Sequence, residues 1–213
     1  MTNYESFLNL LNIYCIRNNL TVKIESTMKD VSLDPSKGIE KEFISKYKNL
    51  NVISMDDIAR DAVRKLKFPG SKWYKDSPAS VDAFLIDENN KWYFIEFKNQ
   101  KISNAKIKCV EKSYANIYWL FDIFYEMHNN GFDINFNYGA PNDFIKNNCE
   151  FILVIYNDSD PLQINKIREA KKANLPMPEG TDFLLKLENY VFNKASVMDE
   201  EQFDRDFVRR FKY

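Results

Sequence analysis

The residues in this sequence best suited to chemistry are Asp82 and, 14 positions later, the triplet Glu96-Phe97-Lys98. Val81–Ile86 and Trp92–Lys98 read as two strands joined by the polar Asp87-Glu-Asn-Asn-Lys91, a hairpin. Alternation along the second strand puts Trp92, Phe94, Glu96, Lys98 and Gln100 on one face and Tyr93, Ile95 and Phe97 on the other. Pairing Ile86 with Trp92 sets Phe84 opposite Phe94 and Asp82 opposite Glu96, and directly opposed side chains sit about 5 Å apart. Two carboxylates that close repel unless a cation lies between them. A hard divalent ion, Mg²⁺ or Mn²⁺, suits such an all-oxygen environment. Lys98, one strand period beyond Glu96, is placed to hold a water and stabilise negative charge on a phosphate. These are the parts for phosphodiester hydrolysis. The blander alternative is a cross-strand salt-bridge cluster at a sheet end, although exposed ion pairs add little stability.

Ser80-Val-Asp82 followed by Ile95-Glu96-Phe97-Lys98 resembles the PD-(D/E)xK nuclease superfamily, which includes restriction endonucleases and Holliday-junction resolvases. Val81 stands where the proline of the motif's name would be. The resemblance spans about Ser36 to Asn129. It implies an α/β, restriction-endonuclease-like fold with a mixed central β-sheet flanked by helices. It further implies that Asp82 and Glu96 are metal ligands, that the Phe97 carbonyl is an extra ligand and that Lys98 is the catalytic lysine. A helix before the hairpin should contribute a glutamate. In a helix from Ser36 to Tyr47, Glu40 falls amid Ile39, Phe43, Ile44 and Tyr47, while Glu42 turns away. An acid central on an apolar face needs a partner, so Glu40 is the candidate, against the plainer reading of a boundary acid reaching solvent. The family often places a Gln or Lys after the catalytic strand. Here Gln100, Lys106, Lys108 and Lys112 compete, the helical wheel turning Lys112 away from the apolar stripe. Lys65, Lys67 and Lys72 with Trp73-Tyr74-Lys75 form an aromatic and basic stretch that could track a nucleic-acid backbone, or be a solvated loop. The implied activity is Mg²⁺- or Mn²⁺-dependent cleavage of nucleic acid, DNA in first place. The alternative is a catalytically silent module of the same fold that binds nucleic acid or a protein. Nucleases of this class often act as dimers, so a homodimer is a further expectation, but no residue marks its face.

Positioning these groups needs a folded frame. Hydrophobic residues make up 45% and aromatic residues 15% of the 213, too much apolar bulk for disorder. The spacing predicts an N-terminal helix over residues 4–18, a helix over Asp56–Lys67 ended by Phe68-Pro-Gly, and a long helix from Ser103 or Asn104 to Asn129. In the long helix Ile107, Val110, Tyr114, Ile117, Tyr118, Phe121 and Tyr125 form the stripe expected to lie on the sheet. Glu150–Tyr156 reads as a buried strand and Asp182–Phe192 as another. Met198–Phe211 reads as a charged terminal helix with Phe203, Phe207 and Phe211 inward. We expect one domain over residues 1–213, with 1–33 an N-terminal helical extension.

Several function classes are excluded. His128 is the single histidine and the 3 cysteines are far apart, so zinc sites, disulfide frameworks and His-dependent hydrolases are disfavoured. The net charge of −1 marks no general nucleic-acid binder. The longest apolar run, Phe151–Tyr156, is far short of a membrane span, and the N-terminus lacks signal-peptide features. The expectation is a cytoplasmic protein with no membrane partner.

Overall fold

In the computed structural model, residues 2–34, 42–43, 49–67, 77–132 and 141–211 are described. Helix α1 (Asn3–Arg17) starts at a capping box in which Thr2 and Glu5 satisfy each other's backbone N–H. Strand β1 (Glu25–Thr27) and the short helix α2 (Met28–Val31) follow, then a two-stranded ribbon of β2 (Leu33–Asp34) and β3 (Glu42–Phe43). Strand β4 (Asn51–Ser54) leads into helix α3 (Met55–Ile58), which continues through a π-helical turn, Ala59–Val63, into α4 (Arg64–Lys67). The hairpin β5 (Ala83–Ile86) and β6 (Trp92–Lys98) comes next, then the long helix α5 (Ile102–Asn129) and α6 (Pro141–Asn148). The chain continues with β7 (Cys149–Ile155), α7 (Pro161–Ala173), α8 (Asp182–Tyr190), β8 (Lys194–Asp199) and α9 (Glu200–Gln202), which opens a helical stretch to Phe211.

Six strands form one mixed sheet in the order β1-β4-β5-β6-β7-β8. The pairs from β1 to β6 are antiparallel, and β6–β7 and β7–β8 are parallel. Parallel neighbours need a long crossover, which α5 supplies between β6 and β7. The hairpin register is the one that alternation requires: Phe84 pairs with Phe94 and Ile86 with Trp92. Its turn is tied by Asp87 Oδ1, which accepts from the N–H groups of Asn89 and Lys91, with Asn90 at φ 59°.

Both faces of β6 are buried, in different cores. Trp92 and Phe94 join Phe7 and Leu11 of α1 and Trp119, Leu120 and Ile123 of α5. Tyr93, Ile95 and Phe97 pack against Phe203 and Phe207 of the C-terminal stretch. Among the described residues no helix is long and apolar enough to cross a membrane. The three cysteines are buried free thiols.

The structure corrects several expectations. Glu42–Phe43 is a strand rather than part of a helix over 36–47, and Glu40 lies outside the described residues. Asp182–Tyr190 is a helix, since Phe183, Leu184 and Leu187 fall on one helical face. The last strand is β8, so the terminal helix begins at Glu200 rather than Met198. Segment 1–33, expected as a helical extension, supplies α1 and also β1, an edge strand of the sheet. The largest correction concerns α5. Its inward face is Ile102, Ala105, Cys109, Ser113, Asn116, Trp119, Leu120, Ile123, Phe124 and Met127; of the expected stripe, Val110, Ile117 and Phe121 pack against the core in part, whereas Ile107, Tyr114, Tyr118 and Tyr125 are exposed.

Candidate active site

The C-terminal end of β6 brings the predicted acid pair together. Glu96 is fully buried, with 0% of its surface exposed. Asp82 sits one residue before β5, where the hairpin register continued places it opposite Glu96. Asp82 Oδ2 accepts the Phe97 N–H at 2.7 Å, which fixes the carboxylate and leaves Oδ1 facing inward.

Two ammonium groups answer the two acids. Lys98 Nζ is in ion contact with Glu96 Oε1 and donates to the Phe97 carbonyl at 3.1 Å. Lys112, from the third turn of α5, lies 2.8 Å from Glu96 Oε1 and donates to Oε2 at 2.9 Å. The same ammonium is 3.4 Å from Asp82 Oδ1. Glu96 Oε1 thus touches both cations, and a carboxylate oxygen with two lone pairs is held there by ion contacts alone.

The charges perturb one another. Burial pushes the Glu96 carboxyl up to about 7, the Asp82 charge adding to this against the pull of Lys98 and Lys112. For Lys112, burial acts downward but the Asp82 and Glu96 charges outweigh it, so its ammonium is held above the usual lysine range. Lys98 behaves the same way, with Glu96 the larger opposing charge. Perturbed groups gathered beside a cleft are a mark of functional sites, one that structural ion networks share.

A cleft of about 590 Å³ opens beside this cluster, lined by Asp82, Lys98, Gln100, Lys108, Asn99 and Asp56 among others. Its far wall comes from residues 23–34, including Lys23, Ser26 and Asp34. Asp34 Oδ2 accepts from Asn99 Nδ2 at 2.7 Å, tying that wall to the strand that carries the acids. Asp56, at the start of α3, accepts a hydrogen bond from Ser80 Oγ. Its carboxyl is raised by lost hydration and by the nearby Asp82 charge. The residue is open to the cleft, where it adds a further acid beside Asp82.

Of the residues singled out from the sequence, Asp82, Glu96, Phe97 and Lys98 come together, Gln100 lines the cleft, and Lys112 joins the acids directly. Lys106 does not join them: it is half exposed and lies 3.6 Å from Asp182 of α8. Lys72, like Glu40, lies outside the described residues. Sequence reasoning missed Asp56 and Ser80. Their signal was faint, an acid just after a strand and a serine two residues before Asp82.

Among the described residues no group of three or more His, Cys, Asp or Glu is arranged to hold a metal ion. Two carboxylates nevertheless converge, both meeting the Lys112 ammonium, with Lys98 on Glu96 as well. Mg²⁺ is commonly held by one or two carboxylates, with waters and substrate oxygens completing the shell. The hard oxygens of Asp82, Glu96 and the Phe97 carbonyl therefore fit a small divalent cation. No protein family, curated protein or solved structure matches this chain significantly, so a functional reading rests on the site itself.

Proposed function

We propose that this chain is a metal-dependent nuclease that hydrolyses phosphodiester bonds of nucleic acid, DNA in first place, on a restriction-endonuclease-like arrangement. The observation that carries this reading is the pair Asp82 and Glu96, on neighbouring strands, sharing one ammonium group with Lys98 beside them at a cleft. Asp82 Oδ1, Glu96 Oε1 and the Phe97 carbonyl would hold Mg²⁺ or Mn²⁺. When bound, such an ion polarises a phosphoryl oxygen and makes a nucleophile of water near neutral pH. Lys98, held by Glu96 and the Phe97 carbonyl, positions its remaining N–H toward the cleft, where it can donate to the attacking water or a phosphate oxygen. Lys112 compensates the two acids from behind and keeps Glu96 ionisable despite its burial. Gln100 and Lys108, on the cleft wall, are placed to contact the flanking backbone.

One observation favours a second reading, a non-cutting module. The two acids and two lysines already balance in charge, as in a structural ion cluster. The test is incubation of folded protein with single-stranded, duplex and branched DNA in Mg²⁺ or Mn²⁺, beside Lys98→Ala. We expect cleavage of at least one substrate and a loss of roughly 10²–10³-fold in the variant, the scale of removing one transition-state donor. Absence of cleavage on every substrate would transfer the assignment to the non-cutting module.

A further inference from the structure

Each oxygen proposed to hold the divalent ion is already engaged by an ammonium group. Lys112 Nζ lies 3.4 Å from Asp82 Oδ1 and 2.8 Å from Glu96 Oε1. Lys98 Nζ touches Glu96 Oε1 and donates to the Phe97 carbonyl at 3.1 Å. An ion about 2.1 Å from Glu96 Oε1 would lie within about 5 Å of the Lys112 ammonium. Like charges that close in a largely buried site repel with little screening. Loading the ion is therefore an exchange against resident cations.

The two lysines differ in what they can do during that exchange. Lys98 lines the cleft, so a substrate phosphate there offers its ammonium another anion. Lys112 comes from α5 and does not line the cleft, and its side chain is only 18% exposed. The charges that bear on it are those of Asp82, Glu96 and Asp56. Lys112 therefore stays beside the acids when ion and substrate are in place.

We propose that Lys112 is a built-in counter-ion that keeps metal affinity low until a phosphodiester occupies the cleft, so that ion and substrate load together. The inference rests on the proposed nuclease reading and deepens it. Charge balance supports it. Asp82, Glu96, Lys98 and Lys112 sum to zero, so a divalent ion alone leaves a buried cluster with unbalanced positive charge, a costly state. A nucleic-acid strand brings one negative charge per phosphate and returns the cluster toward balance. By linkage, a substrate that tightens the ion is tightened by it to the same factor. With a neutral residue at position 112 the cluster is net negative before the ion arrives, and the ion should bind unaided. A lysine serving only the fold predicts the opposite sign, since its removal leaves the acids less well held.

The experiment is calorimetric titration of Mn²⁺ into the full chain at mildly alkaline pH, with and without excess dimethyl phosphate, a phosphodiester of single charge that carries no base. Wild type is compared with Lys112→Gln and with Lys112→Met, which serves if the amide does not fold. Lys106→Gln, on the same helix but facing Asp182, removes an equal charge away from the acids. We expect wild type to bind Mn²⁺ weakly alone and about tenfold more tightly with dimethyl phosphate. The neutral variants at position 112 should bind at least about tenfold more tightly than wild type without it, and Lys106→Gln should match wild type. Unchanged or lowered affinity in the folded neutral variants overturns the proposal. So does a wild-type affinity that dimethyl phosphate leaves unchanged, an arm that needs no variant. If wild type cuts nucleic acid while these gains are missing, only this inference falls. If no protein binds Mn²⁺ under either condition and none cuts, the nuclease reading falls with it.

Discussion

Two buried carboxylates stand on the same face and at the same end of this sheet, and they are treated in opposite ways. Lys98, Ile155 and Asp199 share one row across β6, β7 and β8, so Asp199 lies about 10 Å from the Glu96 cluster by strand spacing. Asp199 is completed by its neighbours. Its Oδ2 accepts from Arg168 Nε at 2.7 Å and its Oδ1 accepts the Gln202 N–H at 2.8 Å, capping α9. Burial pushes its carboxyl upward, but Arg168 and the backbone N–H groups outweigh it and hold it below the usual value. Glu96 is paired as well, with two ammonium groups, yet burial and the Asp82 charge outweigh them and hold the carboxyl up near 7. Asp199 has the marks of a group that stabilises the fold, and Glu96 those of a group kept ready for a ligand or substrate.

The sharpest way to break this contrast is to exchange the consequences. Glu96→Gln should lower metal-dependent cleavage by roughly 10²–10³-fold while changing stability little, since burial already disfavours the Glu96 charge and Lys112 keeps Asp82 as its partner. A large drop in melting temperature with cleavage retained would reverse the two roles. Arg168→Ala should do the opposite, destabilising by about 2–3 kcal/mol in urea titration. This falls below the full range for a broken buried pair because Arg168 is partly exposed. Its folded fraction should still cut.

The pH dependences differ in sign. A carboxyl raised in the folded state makes its contribution to stability below its ordinary value of 4.5 and loses it as pH rises to about 7. A carboxyl lowered in the folded state contributes above its ordinary value of 3.8 and loses that contribution as pH falls past it. Thermal melts across pH 4 to 8 should therefore show a decline of about 3 kcal/mol in wild type that is missing in Glu96→Gln. A matching slope in both proteins would remove Glu96 as its source. The smallest effect is expected of Ser80→Ala, which leaves Asp56 without its hydroxyl partner. A loss of about 1 kcal/mol in stability, with cleavage reduced by less than about tenfold, would place Ser80 as support. A thousandfold loss of cleavage would promote it into the machinery.

The hairpin was legible because a one-residue slip would have moved every side chain of β6 to the opposite core. Fixing Ile86 on Trp92 was therefore enough to bring Asp82 to Glu96. The long helix was legible in extent but not in orientation. Its buried side carries small or polar residues, Ala105, Cys109, Ser113 and Asn116, in the first half and Trp119, Leu120, Ile123, Phe124 and Met127 in the second. Its solvent side carries Tyr114, Tyr118 and Tyr125, so an aromatic stripe drew the reading away from the weakly apolar first half of the true face. Reading the stripe as the buried face turned Lys112 away from the acids, when its true place is between them. Asp182–Phe192 was misread for a related reason: apolar density was weighed above spacing. Asp56 was not legible because its position depends on where α3 leaves β4, a matter of tertiary packing.

The mixed topology also orders events during folding. The hairpin is closed by a short loop and forms on the scale of about 1–10 μs. The parallel partner β7 must wait for the whole of α5 to cross over, and such long-range pairing is slower. In the early hairpin Asp82 and Glu96 are hydrated, and their repulsion is weak in water. They lose that water only when α5 docks, and α5 carries Lys112. The hairpin carries one counter-charge of its own, Lys98, and the docking of α5 brings the second together with the loss of water, so the acids are buried only with both ammonium groups beside them.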